Sequence, residues 1–156
     1  MPLKTPLKRV VFEPIGYVSN SFNEPGDPKA LRNSPSLLIL DEKYIGAMGG
    51  LERYRYLLVI FQFHRSAGYR ERVHPMGDSS IPERGVLATR SPCRPNPIGV
   101  TVAEIISVEG NIIVVTGLDA LNGTPILDIK PYEEHFDSEL GIQRERDCNY
   151  KPVDGR

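Results

Sequence analysis

Three closely spaced prolines constrain the centre of this chain more than any other feature of its sequence. Pro92, Pro95 and Pro97 lie within residues 85–101, and each proline fixes its own φ angle and restricts the residue before it. A helix or a central strand is therefore excluded here, and we predict a stiff, polar loop. Apolar residues lead in at 86–88 and lead out at 98–102, so we expect this loop to hang between two strands.

The same loop carries Arg90, Arg94 and Asn96. Guanidinium and amide groups on a backbone that is ordered in advance bind an anion or a planar ligand at little ordering cost. These residues would also fit a solvated turn, but a turn that only connects two strands requires none of these three side chains. We interpret them as ligand contacts.

Composition indicates one globular, β-rich domain. The chain has 156 residues, 40% of them hydrophobic and 25% charged, and its 14 glycines and 14 prolines indicate many turns. We expect a single domain over residues 1–156, with a core at about 10–135 and a tail at 136–156. A net charge of −1 argues against a general polyanion binder, but residues 64–94 hold six arginines against three acidic residues. One face is therefore predicted to be basic.

Cysteine use and hydropathy point to a soluble protein of the cytoplasm. Cys93 and Cys148 are far apart and form no Cys-x-x-Cys motif, so neither a disulfide framework nor a structural zinc site is indicated. No segment approaches the roughly twenty apolar residues of a membrane helix, and residues 1–11 lack the apolar region of a secretion signal.

Short apolar runs separated by turns predict the secondary structure. Strands are expected at 10–18, 37–40, 56–63, 98–108, 112–118 and 126–129, with a possible strand at 69–73. The runs at 98–108 and 112–118 read as a hairpin, residues 49–53 as a short helix, and residues 19–35 as a long loop. The expected fold is mainly β: a small closed or partly open barrel with long loops and few short helices.

Common enzyme motifs are missing from the sequence. Gly46, Gly49 and Gly50 do not fit a dinucleotide-binding loop, and no phosphate-binding loop, Gly-x-Ser-x-Gly or His-Glu-x-x-His motif occurs. Two other chemistries are open. Cys93 lies between arginines that could lower its pKa, so it is a candidate nucleophile with His64 as its partner. The spacing of the two residues in the sequence does not support such a dyad.

A metal site is the second of these chemistries. It would combine some of the scattered residues His64, His74, His135, Asp128 and Asp137. Since none of them has the spacing of metal ligands, we predict that no metal is bound.

The segment Ala-Thr-Arg-Ser-Pro-Cys-Arg-Pro-Asn-Pro-Ile-Gly at 88–99 resembles the TsaA-like family, which includes the TrmO tRNA methyltransferases. The resemblance extends to 50–52, 63–64, 118–125 and 128–132, in the family's order. It implies a β-barrel homodimer that uses S-adenosylmethionine. The implied reaction methylates N6 of threonylcarbamoyladenosine beside the anticodon of tRNA.

The resemblance also implies roles for individual residues. The methyl-donor site would consist of His64, Arg65, Arg90, Val100, Asp119, Ala120, Leu121 and Asn122. The candidate catalytic residues, for removal of the N6 proton, would be Asp128, Lys130 and Tyr132, while Arg94 and Asn96 would face the substrate. Two alternatives are a non-catalytic RNA-binding barrel and a methyltransferase for a different substrate.

Overall fold

The computed structural model describes residues 8–138, in which eight β-strands occur. They are β1 (Gly16–Ser19), β2 (Ser36–Leu40), β3 (Tyr56–Gln62), β4 (Arg72–Val73), β5 (Arg84–Gly85), β6 (Ile98–Glu109), β7 (Ile112–Thr116) and β8 (Pro125–Pro131). Six of them close into an antiparallel barrel in the order β1-β2-β7-β6-β3-β8. The pair β4 and β5 forms a separate two-stranded sheet.

The helices are short. The two α-helices are α1 (Pro28–Asn33) and α2 (Glu134–Asp137), and 3-10 turns occupy Glu42–Ala47, Leu51–Arg53, Pro75–Gly77 and Val86–Ala88. The mainly β barrel with long loops and few short helices, predicted from the sequence, is thereby confirmed. Within residues 8–138, no helix has the length and apolar character needed to cross a bilayer.

Side chains of alternating strand residues fill the barrel. On β3, Leu57, Val59 and Phe61 are almost fully buried, while the residues between them face outward. β3 pairs with β6 on one side and β8 on the other, so these three side chains lie at the centre of the core. Burying large apolar side chains is worth about 1.5–3 kcal/mol each, which makes this strand central to stability.

Most predicted strands are confirmed with adjusted ends. β2, β3 and β8 occupy the runs expected at 37–40, 56–63 and 126–129. The predicted hairpin is β6–β7, and its turn places Gly110 at φ 59°, in the left-handed region that favours glycine. The helix expected at 49–53 is a 3-10 turn at Leu51–Arg53, and only Arg72–Val73 of the run 69–73 is a strand.

Two predictions about strand positions were wrong. β1 begins only at Gly16, because the proline at 14 has no amide hydrogen for a ladder, and the residues before it are exposed. Residues 86–88 form a 3-10 turn that leads into the proline-rich loop, which is the segment 89–97. The amide and the hydroxyl of Thr89 both donate to the Val86 carbonyl, at 3.0 and 2.8 Å, and these bonds close the turn.

Helix α1 lies inside the segment that the sequence predicted to be a loop. The Asp27 carboxylate accepts a hydrogen bond from the Lys29 amide, Pro28 occupies the first turn, and Leu31 is buried. One buried leucine gives too little periodicity to reveal such a helix. Cys148 and most of the predicted tail lie outside the described residues.

Gly16 provides a test of how closely the barrel strands pack. A Cβ at this position would lie 2.3 Å from the Ile39 carbonyl oxygen, a backbone atom that has no room to move. We expect Gly16→Ala to lower the free energy of unfolding by about 1–3 kcal/mol, measured by urea denaturation. Gly46→Ala is the matched control, because nothing lies within 4 Å of its Cβ position. Equal stability of the two variants would contradict the predicted clash.

Candidate functional site

Loops that carry polar residues converge at one end of the barrel. β3 ends there at Gln62, which pairs with Ile98, the first residue of β6. Since neighbouring strands are antiparallel, β1 and β7 also end there, and β2 and β8 begin there. The loops at 20–35, 63–97 and 117–124 therefore meet at this end, which we call the loop end.

A cavity of about 220 Å³ opens at the loop end. Its lining comes from the end of β3, the start of β6 and three loops: Arg32, Phe61, Phe63, Thr89, Arg90, Arg94, Ile98, Gly99, Val100, Thr101 and Asp119. We call it the Arg90 pocket. It combines two aromatic rings, three arginines and one carboxylate, a set of groups that suits a ligand with a planar ring and charges of both signs.

Close packing around Gly99 forms one wall of the Arg90 pocket. The rings of Phe61 and Phe63 meet edge to face, with centroids 5.3 Å apart. A Cβ on Gly99 would lie 2.6 Å from the first ring and 2.8 Å from the second. Only glycine fits this position, and its small size lets both rings pack directly on the β6 backbone.

The two arginines of the proline-rich loop have different surroundings. Arg94 is half-buried, and its guanidinium donates to the carbonyls of Thr89 at 2.8 Å and Ser91 at 3.4 Å. Arg90 is exposed and has no hydrogen-bond or ion-pair partner among residues 8–138. Arg94 therefore braces the loop, whereas the Arg90 guanidinium is available to an anion in the pocket.

Asp119 carries the negative charge of the pocket. Its carboxylate lies 3.5 Å from the guanidinium of Arg32, and both side chains are about half exposed. An ion pair of this kind contributes only about 0–1 kcal/mol, so a ligand can displace it at small cost. Arg32, Phe61 and Phe63 are site residues that sequence reasoning missed.

Asn20 joins three segments at the loop end. Its side-chain amide donates to the Ala120 carbonyl at 2.9 Å and to the Ser36 hydroxyl at 3.1 Å, and its side-chain oxygen accepts from the Phe22 amide at 3.0 Å. Its own backbone amide donates to the side-chain oxygen of Asn122 at 3.2 Å. These bonds fix the loop at 117–124 against β1 and β2.

Arg65 and Asn122 hold the other part of the loop at 20–35. The Arg65 guanidinium donates to the Asn23 carbonyl and forms an ion pair with Glu24 at 2.7 Å. The side-chain NH2 group of Asn122 donates to the side-chain oxygen of Asn23 at 2.9 Å. Arg65 and Asn122 thus act within the protein by connecting the loops beside the pocket.

His64 follows β3 and contacts the buried Thr124, with 3.3 Å between Nδ1 and the hydroxyl oxygen. Desolvation by burial lowers the pKa of His64 below its usual 6.5, and the positive charge of Arg65 lowers it further. His64 is therefore neutral near pH 7 and able to accept or donate one hydrogen bond.

The predicted donor-site residues divide into two groups. Arg90, Val100 and Asp119 line the pocket. The others belong to the adjoining loop network: His64, Arg65, Ala120, Leu121 and Asn122. Of the predicted substrate residues, Arg94 lies in the pocket lining, while the side chain of Asn96 is exposed.

The predicted catalytic candidates do not line the Arg90 pocket. Asp128 and Lys130 form a 2.6 Å ion pair on the outer face of β8, where they pair with the outward-facing Ile60 and Leu58 of β3. Asp128 is two strands from Val100, about 10 Å away. Tyr132 follows β8 at the opposite end and packs edge to face on Tyr56. Their roles stay predictions.

The structure also places the residues of the two other chemistries considered from the sequence, a cysteine nucleophile and a metal site. Cys93 is half-buried, and its amide donates to the Ser91 hydroxyl at 3.3 Å, so this cysteine belongs to the bracing of the loop. Within residues 8–138, no three His, Cys, Asp or Glu side chains gather into a group that could hold a metal ion.

Comparison with known sequences identifies a family. The model of the tRNA-methyltransferase O N-terminal domain matches residues 16–138. An S-adenosyl-L-methionine-binding protein of Archaeoglobus fulgidus is 37% identical over 131 residues, which are 82% of this chain and 93% of that protein. A tRNA (adenine(37)-N6)-methyltransferase of Rattus norvegicus is 34% identical over 141 residues, which are 84% of this chain and 32% of that protein.

A solved structure has the same fold. TrmO from Pseudomonas aeruginosa superimposes with a TM-score of 0.67 at 28% identity, over 96% of this chain and 62% of that one. The chain therefore spans nearly the whole archaeal relative, but only a third of the rat enzyme and less than two thirds of the bacterial protein.

The Asn20 network provides a test of how the loop end is held. Asn20→Ala removes three side-chain hydrogen bonds and leaves the Ser36 hydroxyl and the Ala120 carbonyl without a donor. We expect a loss of about 1–3 kcal/mol in the free energy of unfolding, measured by urea denaturation. Asn33→Ala is the control, because Asn33 is exposed at the end of α1. A loss no larger than in the control would show that the network does not stabilise the fold.

Proposed function

Because the chain belongs to the tRNA-methyltransferase O N-terminal domain family, we propose that it is an S-adenosylmethionine-dependent methyltransferase that acts on tRNA. The proposal is supported by the names of its relatives, an S-adenosyl-L-methionine-binding protein and a tRNA (adenine(37)-N6)-methyltransferase. In this proposal the chain works as one barrel domain in the cytoplasm, where tRNA is modified.

The observation that carries the proposal is the guanidinium of Arg90, which has no partner among residues 8–138 and lies beside the Phe61–Phe63 rings and the Asp119 carboxylate. S-adenosylmethionine has a carboxylate, an ammonium group, a sulfonium and a planar base, and the pocket offers a complementary group for each charge. When bound, it would supply a methyl group that a nucleophilic nitrogen can take by direct displacement, in which the thioether S-adenosylhomocysteine leaves and the nitrogen gives up its proton. Arg90 would hold its carboxylate, and the rings would pack on its apolar and cationic parts.

The protein's contribution to this reaction is alignment. Displacement at a methyl carbon gains most when the nitrogen, carbon and sulfur atoms are held in line, and a stiff loop on a rigid barrel holds a ligand in one orientation. Arg94 braces that loop from within through the carbonyls of Thr89 and Ser91. The proposed acceptor is N6 of threonylcarbamoyladenosine in tRNA, which is the acceptor implied by the resemblance to the TsaA-like family.

The size of the Arg90 pocket supports a homodimer. Its volume of about 220 Å³ is below the roughly 300–1,000 Å³ of typical small-molecule sites, so a further wall is needed to enclose the donor. Val100 lines the pocket and is 44% exposed, and Val102, two residues on, is 43% exposed on the same outer face. A partner that packs on these valines would complete the site.

The dimer also gives a place to the residues of β8. Asp128 and Lys130 share the outer face with the exposed valines of β6 through the intervening strand β3. In a two-fold dimer that face meets its own copy, so these side chains would approach the pocket of the partner subunit. Their proposed part in the chemistry rests on this arrangement, whereas that of Tyr132, at the opposite end of the barrel, rests on the resemblance alone.

Arg90→Gln is the test of the donor site. The substitution removes the charge but keeps an amide, and we expect calorimetry to show at least a tenfold loss of S-adenosylmethionine affinity, about 1.4 kcal/mol. Methyl transfer to tRNA should fall by at least as much, followed by mass spectrometry of the digested nucleosides. Folding should be unchanged, since Arg90 has no partner among the described residues.

Arg53→Gln is the matched control, because Arg53 is an exposed arginine that precedes β3 at the far end of the barrel. Unchanged donor affinity in Arg90→Gln would contradict the assignment of the site. Binding of tRNA without donor binding or methyl transfer by the unsubstituted protein would favour the non-catalytic RNA-binding barrel. Transfer to a nucleoside other than threonylcarbamoyladenosine would replace the proposed acceptor.

Val102→Asp is the test of the dimer. A carboxylate at the centre of the apolar outer face should weaken self-association at least tenfold in sedimentation equilibrium, and donor affinity should fall with it. Ile106→Asp is the control, since Ile106 is also exposed on β6 but lies beyond the bulge near residue 106, toward the far end. If the unsubstituted protein is a monomer at concentrations where it binds S-adenosylmethionine, the dimer proposal is wrong.

A further inference from the structure

A two-stranded ribbon projects from the barrel beside the Arg90 pocket. β4 and β5 pair as Arg72 with Gly85 and Val73 with Arg84, and they belong to a sheet separate from the barrel. We call residues 69–85 the arginine ribbon. Within the described residues it has no strand partner in the barrel, and most of its residues are exposed. Such a ribbon adds few side chains to the hydrophobic core, so the stability of the fold does not explain why it carries so many charged residues.

The acidic groups of the arginine ribbon are largely occupied by internal contacts. Glu83 lies 3.7 Å from both Arg72 and His74, and its carbonyl accepts a further hydrogen bond from Arg72 at 2.9 Å. The Asp78 carboxylate accepts from the amide and the hydroxyl of Ser80, at 2.9 and 2.6 Å, and closes its own turn. Glu83 is therefore occupied by its ion pairs, whereas Asp78 keeps its negative charge in a turn that its own hydrogen bonds hold.

Two arginines of the ribbon are left without a partner. Neither Arg70 nor Arg84 has a side-chain hydrogen bond or an ion pair among residues 8–138, and both are exposed. The Glu71 carboxylate is exposed between Arg70 and Arg72 and is likewise unpaired in that range. With Arg90 in the neighbouring loop, three guanidinium groups have no partner among residues 8–138, whereas two carboxylates of the ribbon, Glu71 and Asp78, have no ion pair in that range.

Backbone contacts fix the base of the ribbon to the proline-rich loop. The Arg70 amide donates to the Cys93 carbonyl at 2.9 Å, and the Ser66 hydroxyl donates to the Pro92 carbonyl at 2.7 Å. The Val86 amide donates to the Glu71 carbonyl at 2.9 Å. The ribbon as a whole carries three arginines and three acidic residues. Arg70 is nevertheless held beside the loop that carries Arg90, so unpaired guanidinium groups of the ribbon and of the loop are neighbours.

An exposed aromatic side chain stands next to these charges. Tyr69 is 60% exposed and directly precedes Arg70. Arginines that bind phosphates, combined with an aromatic ring on which an unpaired base stacks, are the usual means by which proteins bind single-stranded RNA loops. An acidic protein surface would satisfy the arginines, but it would leave the tyrosine ring without a partner.

We propose that the arginine ribbon is an RNA-contacting element, in which Arg70 and Arg84 bind backbone phosphates and Tyr69 stacks on an unpaired base. This inference rests on the proposed function in one respect, namely that the acceptor is an RNA. It assigns the ribbon to RNA and the Arg90 pocket to the donor. The two sites are therefore separable by substitution.

The test measures the affinity for a synthetic tRNA anticodon stem-loop over a series of salt concentrations, with Arg70→Gln and Arg84→Gln compared singly and together. Each lost phosphate contact should reduce the slope of log affinity against log salt by about 0.7–0.9, and the double variant by about twice that. Donor affinity by calorimetry should remain that of the unsubstituted protein, since neither arginine lines the pocket.

Three further variants sharpen the test. Glu71→Gln removes the unpaired carboxylate and should tighten RNA binding, whereas Arg53→Gln at the far end should leave the slope unchanged. Tyr69→Ala should weaken binding of the stem-loop but not of a duplex of the same length, because only the loop offers unpaired bases. Tyr69→Phe keeps the ring and should keep the affinity.

Unchanged salt slopes in both arginine variants would overturn the proposal, as would a failure of the unsubstituted protein to bind the stem-loop. Donor affinity separates this failure from that of the proposed function. If the donor binds and is lost in Arg90→Gln while the ribbon variants bind RNA normally, the ribbon proposal alone fails. If the donor does not bind but the ribbon variants lose RNA affinity, the methyltransferase proposal fails and the ribbon proposal stands.

Discussion

The pairing of β3 with β6 is the interaction on which the rest of the structure depends. Seven residues of each strand pair in register, from Tyr56 with Glu104 to Gln62 with Ile98. A one-residue slip would turn every side chain of β3 to the other face, because successive residues of a strand point to opposite sides. The register places the Phe61 ring on Gly99, where no Cβ fits. The contact that fixes the pairing thus also forms a wall of the pocket.

The proline-rich loop follows from this pairing, since it must end where β6 begins. Prolines remove backbone freedom, and the bonds of Arg94 to the Thr89 and Ser91 carbonyls fix the loop's curvature from within. One arginine is therefore used for structure, whereas Arg90 is positioned by the same loop and has no partner in the part of the chain that the structure describes. Such an arginine binds an anion without first breaking an internal contact, so its full interaction is available to the ligand.

The sequence predicted what periodicity and proline chemistry determine. Five of the six barrel strands, the β6–β7 hairpin, the barrel fold and the family are confirmed, while β1 begins later than predicted, because alternating apolar residues and turn residues are local signals. What it missed depends on contacts between distant residues. Asn20 was one polar residue among many in a loop, and its importance arises from partners about 100 residues away. The strand expected at 86–88 was wrong because three apolar residues fit a strand and a 3-10 turn equally well.

Net charge is a poor guide to the partner of this chain, and its ion pairs show why. A charge of −1 argues against binding a polyanion only if charges of both signs are equally free to meet it. Around the loop end they are not, because Glu83 is paired within the ribbon, which leaves Glu71 and Asp78 against Arg70, Arg84 and Arg90, and these three arginines have no partner in the described residues. An approaching phosphate backbone meets the unpaired groups first. In the proposed interaction, the distribution of ion pairs, and not the sum of charges, therefore determines which face of the barrel meets the RNA.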